Sequence, residues 1–182
     1  MMEDKWQNQA KLGTEIHNVL QILFSKTKKG KLWADILSDT AIGPMQTKRF
    51  IDFVKSSGKI KNLSDDRIKE IIDYGQELKQ EIRKKYGEKC TFHPEFTVFA
   101  TLNKEFEGKK GFKVLGRIDL LVVDEDGFPQ IIDYKTSPKE YAQFAQPKRL
   151  GFTYQLAMYQ RMLGQWGLTM RNSEVMIAPI QM

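Results

Sequence analysis

The sequence predicts an α/β sandwich in which helices flank a central mixed β-sheet, and the order of its apolar patterns carries this prediction. The N-terminal half repeats apolar residues with a helical period. Residues 114–123 and 129–136 are rich in Val, Ile and Leu and are separated by a turn-forming segment at 124–127. A second helical pattern at 148–166 and a short apolar segment at 174–180 follow. Helices, three strands, a helix and a strand in this order are typical of an α/β sandwich.

Four helices are predicted before the strands, at residues 11–25, 33–37, 43–57 and 64–86. The last of these has the clearest start, because Ser64 is a capping residue and two acidic residues follow it. We expect a single domain over residues 1–182, with the helical stretch at about 32–88 as an insertion or subdomain. The first strand is expected at 90–106.

Composition limits the class of protein. The formal net charge is +6 and the pI is near 9.3, which favours a polyanionic partner, although each lysine cluster alone is more often a solvated surface. The single cysteine, Cys90, excludes an intramolecular disulfide and a four-cysteine iron–sulfur cluster within the chain. The start lacks the apolar core of a signal peptide, and no apolar run is long enough to cross a bilayer. We therefore expect a cytoplasmic protein with no membrane partner.

Two carboxylates occupy otherwise apolar strands. If the turn is centred near Asp126, antiparallel pairing places Asp119 directly opposite Asp133, where like charges repel each other. A hard divalent cation bound by carboxylate oxygens would offset that repulsion. Lys135 is two residues from Asp133 and so shares its face of the strand, where an ammonium can activate water or neutralise charge on a phosphate. The alternative is a solvated charged face, but an unpaired carboxylate inside an apolar strand is costly.

Four further polar residues have open interpretations on sequence alone. His17 borders the apolar stripe of the first helix, where a lone histidine is more often structural than a ligand. Gln155 and Tyr159 share one helix face, which is either an ordinary packed surface or a nucleic-acid contact. Glu95 lies at the entry of the first strand.

Taken together and in order, these residues resemble the RecB-like branch of the PD-(D/E)XK nucleases, which includes the nuclease domains of RecB and AddB. The resemblance covers most of the chain. It consists of His17 on a helix after Gly13, Glu95 at the first strand, and the segments Gly116-Arg117-Ile118-Asp119, Ile132-Asp133-Tyr134-Lys135-Thr136 and Gln155-Leu156-Ala157-Met158-Tyr159.

The resemblance implies a restriction-endonuclease-like fold and a DNA exonuclease that depends on Mg²⁺ or Mn²⁺. It assigns Asp119 and Asp133 as metal ligands, with His17 and the Tyr134 carbonyl as additional ligands, and Lys135 as the catalytic lysine. Glu95 would be a further catalytic residue. The implied contacts to DNA are Gln155, Tyr159, Arg117 and Thr136. No iron–sulfur cluster is expected, because the cysteine cluster of some relatives is absent.

The implied role is DNA repair, recombination, or the processing of phage or mobile-element DNA. DNA is the expected partner, and a helicase or other recombination protein on another chain is a candidate second partner. Two alternatives stay open. One is a nuclease-like module that binds DNA or protein without cutting, and the other is an endonuclease of the same fold.

Overall fold

A computed structural model describes residues 2–102, 111–137, 146–168 and 176–181. Within these ranges the elements follow the predicted order of helices, three strands, a helix and a strand. Their bounds are α1 Met2–Leu23, α2 Trp33–Ser38, α3 Gly43–Ser56, α4 Asp65–Tyr86, β1 Thr91–Leu102, β2 Phe112–Val123, β3 Pro129–Ser137, α5 Gln146–Gln165 and β4 Met176–Gln181.

The four strands form one mixed sheet in the order β1-β2-β3-β4. β1 pairs with β2 and β2 with β3 in antiparallel fashion, whereas β3 and β4 are parallel. A parallel pair needs a crossover connection, and α5 lies between β3 and β4 in the chain. The predicted fold class, a mixed sheet flanked by helices, is therefore confirmed.

Two apolar clusters lie against the sheet. The larger one joins the N-terminal helices to strand residues that include Leu120 and Ile132. The smaller one joins α5, through Leu156 and Leu163, to strand residues that include Ile118. Adjacent positions of the same strands alternate between the clusters, since Leu120 belongs to the larger one and Leu121 to the smaller one, so the N-terminal helices cover one face of the sheet and α5 covers the other.

Helix α1 begins nine residues before the predicted start, at Met2 rather than at Lys11. Residues 2–11 are mostly polar, so they lack the apolar stripe on which the prediction depended. The start of α4 agrees with the prediction, since the Ser64 side chain accepts a hydrogen bond from the Arg67 backbone N–H.

Some predicted features lie outside the described residues. These are the end of the first strand near Phe106, the turn before Gly111, most of the polar loop after Thr136, and the start of the last strand at Glu174. No helix in the described ranges is both long enough and apolar enough to span a membrane.

The β1–β2 pairing changes face at Glu95 and Asp119. Phe92 and Leu120 contact the cluster of the N-terminal helices, whereas Val98 and Ile118 contact the cluster under α5. The pairing skips Glu95 and Asp119, although the register is the same on both sides of them. Glu95 also has a φ of +52°, a left-handed conformation that is uncommon outside glycine. This distortion turns the outer half of the β1–β2 hairpin and places Asp119 at the bend.

Gly75 marks a close crossing of α1 and α4. A Cβ added there would lie 2.2 Å from Leu23 Cδ2 and 3.3 Å from Leu20 Cδ2, and both leucines are fully buried. We expect Gly75→Ala to lower the free energy of unfolding by about 1–3 kcal/mol through overpacking. Gly164→Ala in α5 is the matched control, because no atom lies near its added methyl, and it should raise stability by up to about 1 kcal/mol. Urea titration of both variants measures the difference in their free energies of unfolding. Equal unfolding midpoints would contradict the close approach of α1 and α4 at Gly75.

Candidate active site

Asp119 and Asp133 lie at the end of the β2–β3 ladder. The observed partners, such as Leu120 with Ile132 and Leu121 with Ile131, have the predicted register, in which Asp119 and Asp133 occupy the next position. The ladder stops before that position. Instead, the Tyr134 backbone N–H donates to Asp119 Oδ2 at 2.8 Å. This bond fixes the Asp119 carboxylate against the start of the β3 segment that carries Asp133.

Lys135 and Asp133 form an ion pair, with Lys135 Nζ 2.6 Å from Asp133 Oδ2. The two residues share a face of β3, as their spacing predicts. Asp133 is buried and Lys135 is largely so. The ammonium therefore lies beside the paired acids and away from bulk solvent, where its charge is poorly screened.

The two carboxyls have opposite pKa shifts. Burial alone would raise the pKa of Asp119, but the neighbouring His17 imidazole and the Tyr134 backbone N–H lower it below its usual value. Burial also raises the pKa of Asp133, and the nearby Asp119 charge adds to this, so that Lys135 offsets only part of the increase. Opposed shifts in adjacent acids are the electrostatic signature of a shared site.

His17 reaches this site from α1. Its Nδ1 lies 3.6 Å from Asp119 Oδ1, a distance that is too long for a hydrogen bond but allows an electrostatic contact. Its ring also packs edge-on against the Tyr134 ring, with 5.6 Å between centroids. The position one turn earlier is Gly13, where a Cβ would lie 2.7 Å from Thr136 Oγ1. The glycine thus lets α1 approach β3 closely enough for His17 to reach Asp119.

Helix α5 adds Gln155 and Tyr159 to the same site. Lys135 Nζ donates to Gln155 Oε1 at 3.4 Å, and Gln155 Nε2 donates to the Tyr159 hydroxyl at 3.3 Å. Tyr159 is buried against Gly116, where a Cβ would lie 2.7 Å from the ring. The glutamine therefore links the lysine to the tyrosine, and the missing side chain at Gly116 makes room for that tyrosine.

Glu95 and Arg117 form a neighbouring pair on the distorted part of the hairpin. Arg117 Nη1 donates to Glu95 Oε2 at 2.9 Å, and the arginine side chain is 71% exposed. Most of the guanidinium surface is thus open to a ligand although one of its nitrogens contacts the glutamate. Thr136 instead faces Gly13 of α1, which gives it a close packing contact beside the site.

The donor chemistry fits a hard divalent cation. Two carboxylates and an imidazole are suitable ligands, and no hydrogen-bond donor of the described ranges meets the buried Asp133 Oδ2 with bonding geometry, although Lys135 Nζ is close. Within the described ranges, however, no three His, Cys, Asp or Glu side chains are arranged as a metal-binding cluster. The assignment of His17, Asp119, Asp133 and the Tyr134 carbonyl as ligands stays a prediction.

Several contacts of the site were not predicted from the sequence. The Tyr134–Asp119 bond, the Glu95–Arg117 pair and the link from Lys135 to Gln155 each join residues that are far apart in the chain or on different elements. The change of face at Asp119 has one signal in the sequence. Ile118 and Leu121 both contact the cluster under α5, yet they are three residues apart, whereas residues on one face of a regular strand are an even number apart. Both are apolar within a continuous apolar run, so the signal is ambiguous.

Comparison with known proteins supplies the family. No curated protein matches the chain. The family model of the PD-(D/E)XK nuclease superfamily matches residues 2–179. Nucleases of this superfamily hydrolyse phosphodiester bonds and generally use divalent metals such as Mg²⁺. The match spans nearly the whole chain and includes the acids and the lysine that β2 and β3 bring together, and the chain therefore belongs to the PD-(D/E)XK nuclease superfamily.

Proposed function

We propose that this chain is a Mg²⁺- or Mn²⁺-dependent deoxyribonuclease of the RecB-like branch, and that it acts as an exonuclease in DNA repair, recombination or the processing of phage or mobile-element DNA. The observation that carries the proposal is the link from Asp133 through Lys135 and Gln155 to Tyr159. This link joins the strand that carries an acid and the lysine to the helix that carries the glutamine and tyrosine of this branch.

In this proposal Asp119, Asp133 and His17 hold the metal, with the Tyr134 carbonyl as a further ligand. The chemistry that the ion supplies when bound is the activation of water and the polarisation of the scissile phosphate. Water then adds across one P–O ester bond and gives a phosphate monoester and an alcohol. Burial raises the pKa of Asp133 and repulsion from the Asp119 charge adds to it, so a positive charge beside the paired acids would be stabilising.

In the same proposal Lys135 stabilises the transition state of the hydrolysis. Its ammonium donates to the attacking water or to a non-bridging phosphate oxygen, where it stabilises the charge that builds up in the transition state. Gln155 limits the positions of that ammonium by accepting one of its N–H groups. Arg117, Tyr159 and Thr136 border the site and hold the DNA backbone in the same proposal, and Glu95 orients Arg117 as well as being a candidate catalytic residue.

The proposed organisation is a single domain over residues 1–182, in which about 32–88 is a helical insertion or subdomain. We also propose a cytoplasmic location, and a helicase or other recombination protein on another chain as a second partner.

Cleavage of end-labelled linear DNA tests this function. We expect products with Mg²⁺ or Mn²⁺ and none in EDTA, and closed circular DNA of the same sequence should stay intact because an exonuclease requires an end. Cleavage of the circle would indicate the endonuclease alternative. Absence of cleavage with every divalent metal, together with DNA binding and no metal affinity by calorimetry, would indicate the non-catalytic alternative. Cleavage that EDTA leaves unchanged would contradict metal dependence.

A further inference from the structure

The outer half of the β1–β2 hairpin has a face that is exposed along its whole length. We call it the outer hairpin face, and it consists of the cross-strand pairs Thr97–Arg117, Phe99–Leu115 and Thr101–Lys113, all six of which are exposed. The opposite face of the same strands carries Val98, Ala100 and Ile118, which are buried in the cluster under α5. One side of this ribbon is thus packed, and the other is presented to solvent.

Two apolar side chains form the centre of the outer hairpin face. Phe99 is 45% exposed and Leu115, directly opposite, is 72% exposed. Phe99 is also held in place, because the Trp166 indole N–H donates to the Phe99 carbonyl at 2.7 Å and the two rings lie 4.8 Å apart in an edge-on arrangement. The centre of the face is therefore a preorganised apolar surface, and ordering it costs little on binding.

The rim of this face is basic and polar. Lys113 and Arg117 are both on β2, with hydroxyls of Thr97 and Thr101 opposite, and the six residues include no acid. The face also leads to the catalytic centre, because Asp119 is the second residue after Arg117 on the same strand. A polyanion lying along the face would therefore meet complementary charge and reach the paired acids.

We propose that the outer hairpin face is a platform for single-stranded DNA, on which unpaired bases stack against Phe99 and Leu115 while phosphates contact Lys113 and Arg117. This inference rests on the proposed function and specifies the substrate strand. Exposed aromatic side chains flanked by cations are the usual means of binding single strands without sequence preference. Leu115 extends the apolar surface directly opposite the Phe99 ring. In a duplex the bases are stacked on each other, so the apolar centre of the face has no partner there.

Equilibrium binding of a fluorescent oligonucleotide in EDTA tests the platform without cleavage. We expect Phe99→Ala to weaken binding of a short single strand by about five-fold or more, because base stacking on the aromatic ring is lost. Leu115→Ala should weaken it several-fold through the loss of apolar contact with the bases. Binding of the corresponding duplex should change by less than about two-fold on the same basis. Leu115→Ala makes the test independent of the Phe99–Trp166 contact, since Leu115 lies in the open on β2.

Phe53→Ala is the matched control. Phe53 is a phenylalanine of similar exposure, 52%, on α3, and its removal should leave the affinity for single strands unchanged. Wild-type affinity in both platform variants would overturn the proposal, as would an equal loss of duplex binding. A dimer of the wild type that Leu115→Ala converts to a monomer would overturn it too, because the face would then join two copies.

Salt dependence separates stacking from charge. Lys113→Ala should reduce the slope of log affinity against log salt concentration by about 0.7, the value for one phosphate contact on a single strand. Phe99→Ala should lower the affinity and leave that slope unchanged. Unchanged slopes in both variants would remove Lys113 from the platform. Because these measurements need no metal, the platform and the nuclease activity can fail separately: an inactive wild type that binds single strands through Phe99 contradicts only the proposed function.

Discussion

Asp119→Asn is expected to reduce DNA cleavage by about a thousand-fold or more while leaving the fold intact. The asparagine carbonyl can still accept the Tyr134 backbone N–H, which avoids the cost of about 1–3 kcal/mol for an unsatisfied buried donor. The substitution nevertheless removes the negative charge that a divalent cation requires at this position, and metal catalysis contributes several kcal/mol to such a reaction. Steady-state cleavage of linear DNA and metal titration by calorimetry measure the two effects.

Asp52→Asn is the control for this change. Asp52 is exposed on α3, so the same chemical substitution should leave cleavage, metal affinity and stability as in the wild type. If Asp119→Asn cleaved DNA within a few-fold of the wild type, Asp119 would not be a metal ligand, and the paired acids of β2 and β3 would be structural.

The strands that carry the site were predictable because their signals are local. Val, Ile and Leu in two short runs, with an aspartate and a glycine between them, specify a hairpin, and the position of the turn specifies its register. In the structure Asp124 Oδ1 accepts the backbone N–H groups of Asp126 and Phe128, and Gly127 has a φ of +86°. These contacts lie within five residues, so a short stretch of sequence contains all the information that they require.

The arrangement of side chains around that hairpin depends on contacts between elements. Sequence periodicity alone leaves His17 as an ordinary structural residue at the border of the apolar stripe of its helix. Its position beside Asp119 results from the packing of α1 on β3, which the absence of a side chain at Gly13 permits. Similarly, Tyr159 reaches the site over Gly116. A glycine that allows two elements to approach closely has the same sequence signature as one in a turn.

The distortion at Glu95 is a further feature that local rules do not predict. Alternation in β1 suggests one continuous apolar face through Phe92, Phe96 and Val98, but the strand changes face between the first two. Glutamate disfavours the left-handed conformation that it adopts, so tertiary contacts must maintain it. One such contact is the pair with Arg117. As a consequence, the residues of the outer hairpin face, which regular alternation from Leu121 would place under α5, lie on the opposite side of the sheet and are exposed next to the acids.

Lys135→Ala is expected to reduce the cleavage rate by about a hundred-fold or more and to leave metal affinity unchanged or higher. The loss follows from removal of a positioned donor that stabilises transition-state charge. The metal affinity should not fall, because the Lys135 ammonium, 2.6 Å from Asp133, repels a cation that the two acids attract, and the substitution removes this repulsion. This combination distinguishes the lysine from Asp119, whose substitution should weaken both cleavage and metal binding.

Gln155→Ala shows whether the lysine acts from a fixed position. Gln155 accepts from Lys135 Nζ and carries no charge, so its removal should leave metal affinity unchanged and lower the cleavage rate by less than Lys135→Ala. In the double variant, the two effects should combine to less than their product, because a glutamine that acts through the lysine has no role once the lysine is absent. Full multiplicativity would show that Gln155 contacts DNA independently, and cleavage by Lys135→Ala within a few-fold of the wild type would exclude the lysine from catalysis.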